Sequence, residues 1–256
     1  MRFSFKLLLL LFPAFLLLSC PCIGTARADD SLLLYSGAGL RQPVEEVVRL
    51  FQSETGIKVR IDFAGSGRLM ARYLASGKGD VFLPGSHYYV NKLKDKGELT
   101  WSRQVVLHVP VVGFPLSGKV KISSFTDLTK PGLKVGLGDP KAMALGRTAE
   151  DILTASGLRE GVLKNTVVRA ATVKQLVLYL LKGNVDAAIV ARADVVQKKD
   201  KLGMIEIDPS WYKPEIVTAA ILKASKQKKK AKKLAVFISS PEAVKVFNRY
   251  GFLPVK

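Results

Sequence analysis

Two turns rich in glycine, alanine and serine are the part of this sequence best suited to bind an anion. Residues 36–39 read Ser-Gly-Ala-Gly and residues 64–67 read Ala-Gly-Ser-Gly, each between an apolar segment and a helical pattern. Backbone N–H groups at a helix start lack intrahelical partners and carry partial positive charge. Small residues let an anion approach those groups, and the Ser66 hydroxyl can donate a further hydrogen bond. The alternative is that both segments are merely tight turns whose glycines need a positive φ.

The sequence lacks motifs for catalysis and for nucleotide binding. Neither turn forms a full G-x-G-x-x-G with a downstream acidic residue, and no G-x-x-x-x-G-K-[ST] occurs. A secreted enzyme is an alternative, but the chain offers no G-x-S-x-G, no H-E-x-x-H and only two histidines. The chain has only two cysteines, Cys20 and Cys22, so few Cys and His side chains are available to ligate a metal ion. We expect no catalytic residue, no metal cation site and no cofactor.

The composition is that of a folded protein with a large positive charge. The chain has 256 residues, 48% of them hydrophobic, and 40 basic against 21 acidic residues give a net charge of +19. This excludes a disordered chain and points to anionic partners. Seven lysines lie within residues 223–233, without the interleaved aromatic residues that bind single-stranded nucleic acid. We expect no nucleic acid partner; these lysines form either a solvated face or a surface that attracts an anionic membrane or the ligand.

The first 28 residues have the organisation of a secretory signal peptide. A basic start precedes an apolar run over residues 7–18, and residues 26–28 read Ala-Arg-Ala, a small-x-small cleavage site. Cleavage there would remove both cysteines and three basic residues, which lowers the net charge from +19 to +16. The alternatives are a lipoprotein signal that ends at Cys20 and an uncleaved N-terminal anchor. We expect a periplasmic protein, either free or lipid-anchored through Cys20.

After residue 30 the hydrophobic pattern alternates between strands and helices. The predicted strands cover residues 32–35, 57–63, 80–83, 105–114, 133–137, 167–169, 187–190 and 217–222. The predicted helices start near Pro43 and Leu69 and cover residues 88–96, 148–156, 173–181, 229–239 and 242–249. Val44, Val47 and Phe51, for example, recur at the spacing of one helix face, and Gly56 ends that helix. Strands that alternate with helices are typical of parallel α/β sheets.

Short motifs in consistent order along residues 31–256 carry a resemblance to a known family. They are residues 35–40, 55–59, 63–69, 79–85, 138–140 with Gly146, 186–190, 239–243 and 250–252. Together they resemble periplasmic molybdate-binding proteins of ABC transporters, which are type II solute-binding proteins. The resemblance implies an α/β, two-lobed periplasmic-binding-protein type II fold in which each lobe is a mostly parallel sheet flanked by helices. It implies a signal peptide over residues 1–28, lobe 1 over 29–112, lobe 2 over 113–207, and a return to lobe 1 over 208–256.

The same resemblance implies a ligand site between the lobes, made of neutral hydrogen-bond donors. The positions carried over from the family are Ala38, Gly39, Ser66, Gly67, Leu145, Val173 and Ala191. Ser66 matches a ligand-contacting serine, and Leu145 and Val173 match positions that offer backbone N–H groups. The chain departs from the family at Gly39, where a serine is usual, and at Ala191, where a tyrosine is usual. Two hydroxyl donors are therefore missing.

Charged residues beside these positions are candidates to replace the missing donors. Arg41, Arg68 and Arg147 follow the predicted anion loops and could support the ligand, the alternative for each being a solvated position. Water or the backbone N–H of Gly39 are other replacements. Arg192 follows a buried strand, and we expect it near the cleft or paired with Asp194.

The resemblance implies capture of a tetrahedral oxyanion, molybdate or tungstate, by a monomeric extracytoplasmic binding protein that delivers it to an ABC transporter permease. The alternatives are a different small anion, such as sulfate or phosphate, and a secreted enzyme. A cytosolic regulator built from the same lobes would need an N-terminal DNA-binding helix pair, where this chain has the signal pattern instead.

Overall fold

The computed structural model of the chain describes residues 30–255. The predicted signal peptide, its cleavage site and Cys20 lie outside the described residues. Within residues 30–255, no helix is both long enough and apolar enough to cross a membrane.

The described residues form strands and α-helices in an order close to the predicted one. The strands are β1 (Leu32–Gly37), β2 (Val59–Ala64), β3 (Val81–Leu83), β4 (Leu99–His108), β5 (Pro110–Pro115), β6 (Val135–Gly138), β7 (Thr166–Ala170), β8 (Ala187–Ala191), β9 (Leu202–Glu206), β10 (Glu215–Leu222) and β11 (Leu253–Pro254). The helices are α1 (Arg41–Thr55), α2 (Ser66–Ser76), α3 (His87–Asp95), α4 (Ala144–Ala155), α5 (Arg159–Lys164), α6 (Val173–Leu181), α7 (Arg192–Val196), α8 (Lys228–Ile238) and α9 (Pro241–Arg249). Short 3₁₀ segments cover Ala38–Leu40, Phe125–Thr129 and Pro209–Trp211.

The strands form two sheets, which are the cores of the two lobes. The first sheet has the order β11-β4-β10-β3-β1-β2 and the second the order β7-β6-β8-β5-β9.

The α/β, two-lobed architecture is confirmed, but the sheets are mixed rather than mostly parallel. In the first, β1 is parallel to β2 and β3, whereas β10 is antiparallel to β3 and β4. In the second, β6 is parallel to β7 and β8, whereas β5 is antiparallel to β8 and β9. Strands joined by a helical crossover are parallel. Strands β5 and β10 instead follow a strand of the other sheet without a helical crossover, and they are antiparallel to their neighbours.

The chain passes from the first sheet to the second at Val109. The single extended segment predicted over residues 105–114 is therefore two strands, β4 and β5, that belong to different sheets. The chain returns between Glu206, which ends β9, and Glu215, which begins β10. The predicted boundary between residues 112 and 113 falls inside β5. We propose Val109 as the first lobe boundary and the segment between β9 and β10 as the second.

Both faces of each sheet are covered by helices. Along β1, Leu32 and Leu34 pack with α1, α8 and α9, while Tyr35 packs on the opposite face with α2 and α3. In the second sheet, Ile189 and Val190 of β8 likewise face different hydrophobic clusters. Side chains alternate along a strand, so a strand covered on both sides must be apolar at every position. This explains why β8 is an uninterrupted buried run.

Candidate ligand-binding cleft

Residues from both lobes line one cleft of about 490 Å³. Its walls are the carboxyl ends of β1, β2 and β8 and the starts of α2, α4 and α6, together with the 3₁₀ segment before α1. Ligands of open α/β sheets bind beyond the carboxyl ends of strands. Six of the seven positions carried over from the family line the cleft: Ala38, Gly39, Ser66, Leu145, Val173 and Ala191. The seventh, Gly67, does not; a Cβ there would lie 3.3 Å from the ring of Tyr89.

In the first lobe, the site depends on the close approach of two loops. Helix α2 begins at Ser66 with no side-chain hydrogen bond capping its N-terminus. The Ser66 Oγ accepts a hydrogen bond from the Gly85 backbone N–H at 3.1 Å, so the hydroxyl proton is left for another acceptor. A Cβ on Gly37 would lie 2.9 Å from the Gly85 nitrogen, which explains the glycine at position 37.

The alternative reading of the glycine turns, a need for positive φ, is wrong. Gly37 has φ −56° and Gly65 has φ −61°, and Gly39 and Gly67 are also absent from the positive-φ glycines. A Cβ at Gly39 or Gly65 would meet no heavy atom within 4 Å. Gly39 and Gly65 therefore leave open space in front of the backbone, which is what an approaching anion requires.

In the second lobe, a glycine brings the start of α4 against the loop that follows β6. A Cβ on Gly146 would lie 2.5 Å from the carbonyl of Asp139, so only glycine fits there without a shift of the backbone. The Asp139 Oδ1 accepts a hydrogen bond from the Lys141 N–H at 2.8 Å and thereby shapes the loop. Helix α4, like α2, has no side-chain N-cap. The first backbone N–H groups of α4, which include that of Leu145, thus lie at the cleft without an intrahelical partner.

Helix α6 brings a third helix start to the same cleft. Thr172 caps it with a capping box, in which its hydroxyl accepts from the Gln175 N–H at 3.3 Å and the Gln175 side chain accepts from the Thr172 N–H. Val173 and Lys174 follow in the first turn, and both line the cleft. The helix dipoles of α2, α4 and α6 therefore present partial positive charge to one volume.

The three arginines proposed as charged support do not line the cleft. Arg41 pairs with Glu45 at 3.1 Å and lies 4.1 Å over the ring of Phe63. Arg147 donates to the carbonyl of Pro140 at 3.3 Å, and Arg68 is exposed. Helical N–H groups run along the axis whereas side chains project away from it, so a residue just after an anion loop need not reach the anion.

Arg192 follows Ala191 beside the cleft, but it does not line the cleft and its side chain is bound elsewhere. Its Nε pairs with Glu206 at 3.0 Å, and its Nη1 donates to the carbonyl of Gly251 at 3.2 Å. It therefore links α7 of the second lobe to the C-terminal segment that packs on the first. It does not pair with Asp194.

Several polar residues of the cleft were missed by the sequence reasoning. They are Ser86, Tyr89, His108, Thr148, Thr172, Lys174, Asp194, Lys213 and Glu215. Burial lowers the pKa of His108 to about 4, so this imidazole is neutral at pH 7. Burial raises the pKa of Asp194 to about 6, and the positive charge of Lys174 opposes that rise. No local sequence motif predicts that these residues line the cleft. The available signal is that Lys174 and Asp194 are close in sequence to Val173 and Ala191.

The lysine-rich segment is separate from the cleft. None of its seven lysines lines the cleft, and Lys232 lies with its Nζ 3.9 Å from the ring centre of Trp101. Among residues 30–255 there is also no group of three or more His, Cys, Asp or Glu side chains placed to hold a metal ion.

Known proteins are similar to this chain in sequence and in fold. A Haemophilus influenzae protein named "Putative binding protein" is 44% identical over 232 residues, 91% of this chain and 94% of that protein. The molybdate-binding protein ModA of Rhodobacter capsulatus is 23% identical over 88% of this chain and 89% of its own length. The solved "substrate binding domain of putative molybdenum ABC transporter from Clostridium difficile" has a TM-score of 0.81 at 23% identity, covering 88% of this chain and 99% of that one.

A family model matches nearly the whole of the described chain. Residues 32–253 match the model described as bacterial extracellular solute-binding protein. This span contains strands β1 to β10 and every residue that lines the cleft. The chain therefore belongs to the bacterial extracellular solute-binding protein family.

Proposed function

We propose that this protein captures a tetrahedral oxyanion, molybdate or tungstate, and delivers it to the permease of an ABC transporter. One observation carries the proposal: the starts of α2, α4 and α6 and the Ser66 hydroxyl converge on one cleft. Among the described residues, its lining includes Lys174 and Lys213 but no arginine. Such a site offers many neutral donors to an anion. It requires no cofactor and no catalytic group, and we propose binding rather than catalysis as the activity.

Neutral donors can hold a dianion strongly when water is excluded. A hydrogen bond to a charged group is worth about 1.5–3 kcal/mol, roughly twice the value between neutral partners. Closure of the two lobes over the anion would lower the local dielectric constant and strengthen each of these bonds. We propose that the two connections between the sheets, at Val109 and between β9 and β10, act as the hinge.

Molybdate or tungstate is preferred because the relative from Rhodobacter capsulatus and the solved domain from Clostridium difficile are named for molybdate or molybdenum. The absence of side-chain donors at Gly39 and Ala191 keeps sulfate and phosphate as alternative ligands. On the second lobe, the Thr172 hydroxyl lines the cleft and accepts from the Gln175 N–H, so its proton can serve as a substitute donor. We further propose a monomeric periplasmic protein, with Cys20 as its lipid attachment point if the lipoprotein signal is used.

The test is calorimetric titration of residues 29–256 with molybdate, tungstate, sulfate and phosphate. We expect molybdate and tungstate to bind most tightly. Ser66→Ala should weaken binding by about 10- to 100-fold, because it removes one donor to a charged ligand. Ser76→Ala is the matched control, since Ser76 is exposed at the far end of the same helix.

Two outcomes would contradict the proposal. Absence of binding by all four anions below about millimolar concentration would remove the oxyanion function. Equal affinities for the Ser66→Ala and Ser76→Ala variants, with unchanged thermal unfolding midpoints, would remove Ser66 from the site.

A further inference from the structure

We propose that Asp194 makes oxyanion capture proton-linked, so that the complex holds one proton between the Asp194 carboxyl and the bound anion; this rests on the oxyanion function proposed above. When the anion brings no proton, as molybdate does not, the carboxyl takes one from solvent. When the anion is hydrogen phosphate, the ligand supplies the proton and donates it to the ionised carboxylate. Asp194 is thus a specificity-determining residue that distinguishes anions by their protonation.

The position of Asp194 places a carboxyl in the wall of the anion cleft. It lies in α7, three residues after Ala191, and lines the cleft together with Val173 and Lys174 of α6. The side chain is half-buried. Within the part of the chain that the structure describes, no hydrogen bond or ion pair to its carboxylate is formed, so its oxygens are open to a ligand in the cleft.

The charged neighbours of Asp194 leave its carboxyl only partly compensated. The positive charge of Lys174 favours the ionised form, but burial outweighs it, and the pKa of Asp194 is raised to about 6. On the same helix, Arg192 is committed to Glu206 of β9 and to the Gly251 carbonyl.

Further titratable groups of the cleft include His108, Lys213 and Glu215. His108, at the end of β4, is neutral across the range from pH 6 to 8.5, since burial lowers its pKa to about 4. Lys213 and Glu215, before and at the start of β10, contribute one positive and one negative charge to the same cleft. A dianion that enters therefore meets a carboxyl that is close to protonation at neutral pH.

The presence of a dianion should complete that protonation. A nearby like charge disfavours the ionised carboxylate and raises its pKa further, so binding and proton uptake are coupled. For molybdate, one proton moves from solvent to Asp194 and no covalent bond changes in the ligand. The affinity for molybdate should then fall by up to about tenfold for each pH unit above 6, until the pKa of the complex is passed.

Hydrogen phosphate should behave in the opposite way. It carries its own O–H donor, and the ionised Asp194 is the acceptor that this donor needs. Binding at pH 8 should therefore take up little or no proton. A protonated Asp194 would instead face the phosphate hydroxyl with a second donor, so acidification should not tighten phosphate binding as it tightens molybdate binding.

The experiment is titration calorimetry between pH 6.0 and 8.5 in pairs of buffers that differ in ionisation enthalpy, which counts the protons taken up. We expect between half a proton and one proton per molybdate at pH 7.5 and close to none per hydrogen phosphate at pH 8. Asp194→Asn should make molybdate affinity nearly independent of pH and weaken hydrogen phosphate at least tenfold. Asp200→Asn, which changes an exposed carboxyl outside the cleft, should leave both unchanged.

The outcomes separate this inference from the function on which it rests. Molybdate binding with no proton uptake by the wild-type protein would overturn the role of Asp194 and leave the oxyanion function intact. Absence of binding by every anion at every pH would overturn both. Because proton uptake is measured on the unaltered protein, a folding defect in Asp194→Asn would not prevent the decision.

Discussion

Gly39→Ser should convert an open position of the cleft into a further hydrogen-bond donor and tighten oxyanion binding. Gly39 lines the cleft, its φ is not positive, and a Cβ added there would meet no heavy atom within 4 Å. A serine therefore fits without backbone strain or steric conflict. The resemblance to molybdate-binding proteins places a serine at this position, so the substitution restores a donor that this chain lacks.

The expected gain follows from one hydrogen bond to a charged ligand. Such a bond is worth about 1.5–3 kcal/mol, which corresponds to about 10- to 100-fold tighter binding. Gly39→Ala is the matched control, because it adds the same Cβ without the hydroxyl. Both substitutions remove conformational freedom from the unfolded chain, so both should raise the free energy of unfolding by about 0.4–1 kcal/mol.

Calorimetric titration with molybdate and sulfate, together with thermal unfolding of the free protein, measures both effects. The decisive comparison is between the serine and alanine variants. If Gly39→Ser binds no more tightly than Gly39→Ala, the hydroxyl does not reach the anion and the placement of Gly39 in the ligand loop is wrong. If both variants bind more weakly than wild type, the anion occupies the space of the added Cβ.

Two further predictions concern backbone packing and pH. Gly146→Ala should destabilise the protein by more than about 1 kcal/mol and weaken anion binding, because its Cβ would lie 2.5 Å from the carbonyl of Asp139. Denaturant unfolding measures this free energy. A variant as stable as wild type would show that the loop after β6 can shift at little cost. Asp194→Asn should leave stability unchanged near pH 4 and raise it above pH 6. The reason is that burial raises the pKa of Asp194 from 3.8 to about 6, so the stability that its protonated form provides is lost as the pH rises through 6. The difference should reach no more than about 3 kcal/mol at about 1.4 kcal/mol per pKa unit, and a constant difference from pH 4 to 8 would exclude this titration.

The sequence alone was enough to predict the elements whose hydrophobic pattern is long. The 3.6-residue spacing of Val44, Val47 and Phe51 predicted α1 and its end at Gly56, which adopts the left-handed conformation with φ 67°. The predicted span 173–181 coincides with α6. The elements that were missed include α5, α7, β9 and β11, which have six, five, five and two residues. Helices of five or six residues are too short to show a 3.6-residue period, and the apolar pattern of β9 is interrupted by Gly203.

The candidate site also has a part that the sequence predicted and a part that it did not. The two glycine turns could be identified because an anion site at a helix start needs small residues in one short stretch of chain. Which turns meet, and which side chains join them, depends on contacts between residues far apart in sequence. Gly37 approaches Gly85, and Asp194 lies beside Lys174, only because the two sheets fold as they do.

Sequence by itself thus determined the alternation of strands and helices, the two glycine turns and the family resemblance, since each of these depends on residues close together in the chain. Only the tertiary structure decided the change of sheet at Val109, the mixed direction of the strands and the charges of the cleft. Arg41 and Arg147 follow the proposed anion loops in sequence but contact Glu45 and the Pro140 carbonyl instead, while Asp194 lines the cleft from another element. The physical reason is that a helix start directs its N–H groups along its axis, whereas the packing of the whole lobe decides where each side chain lies.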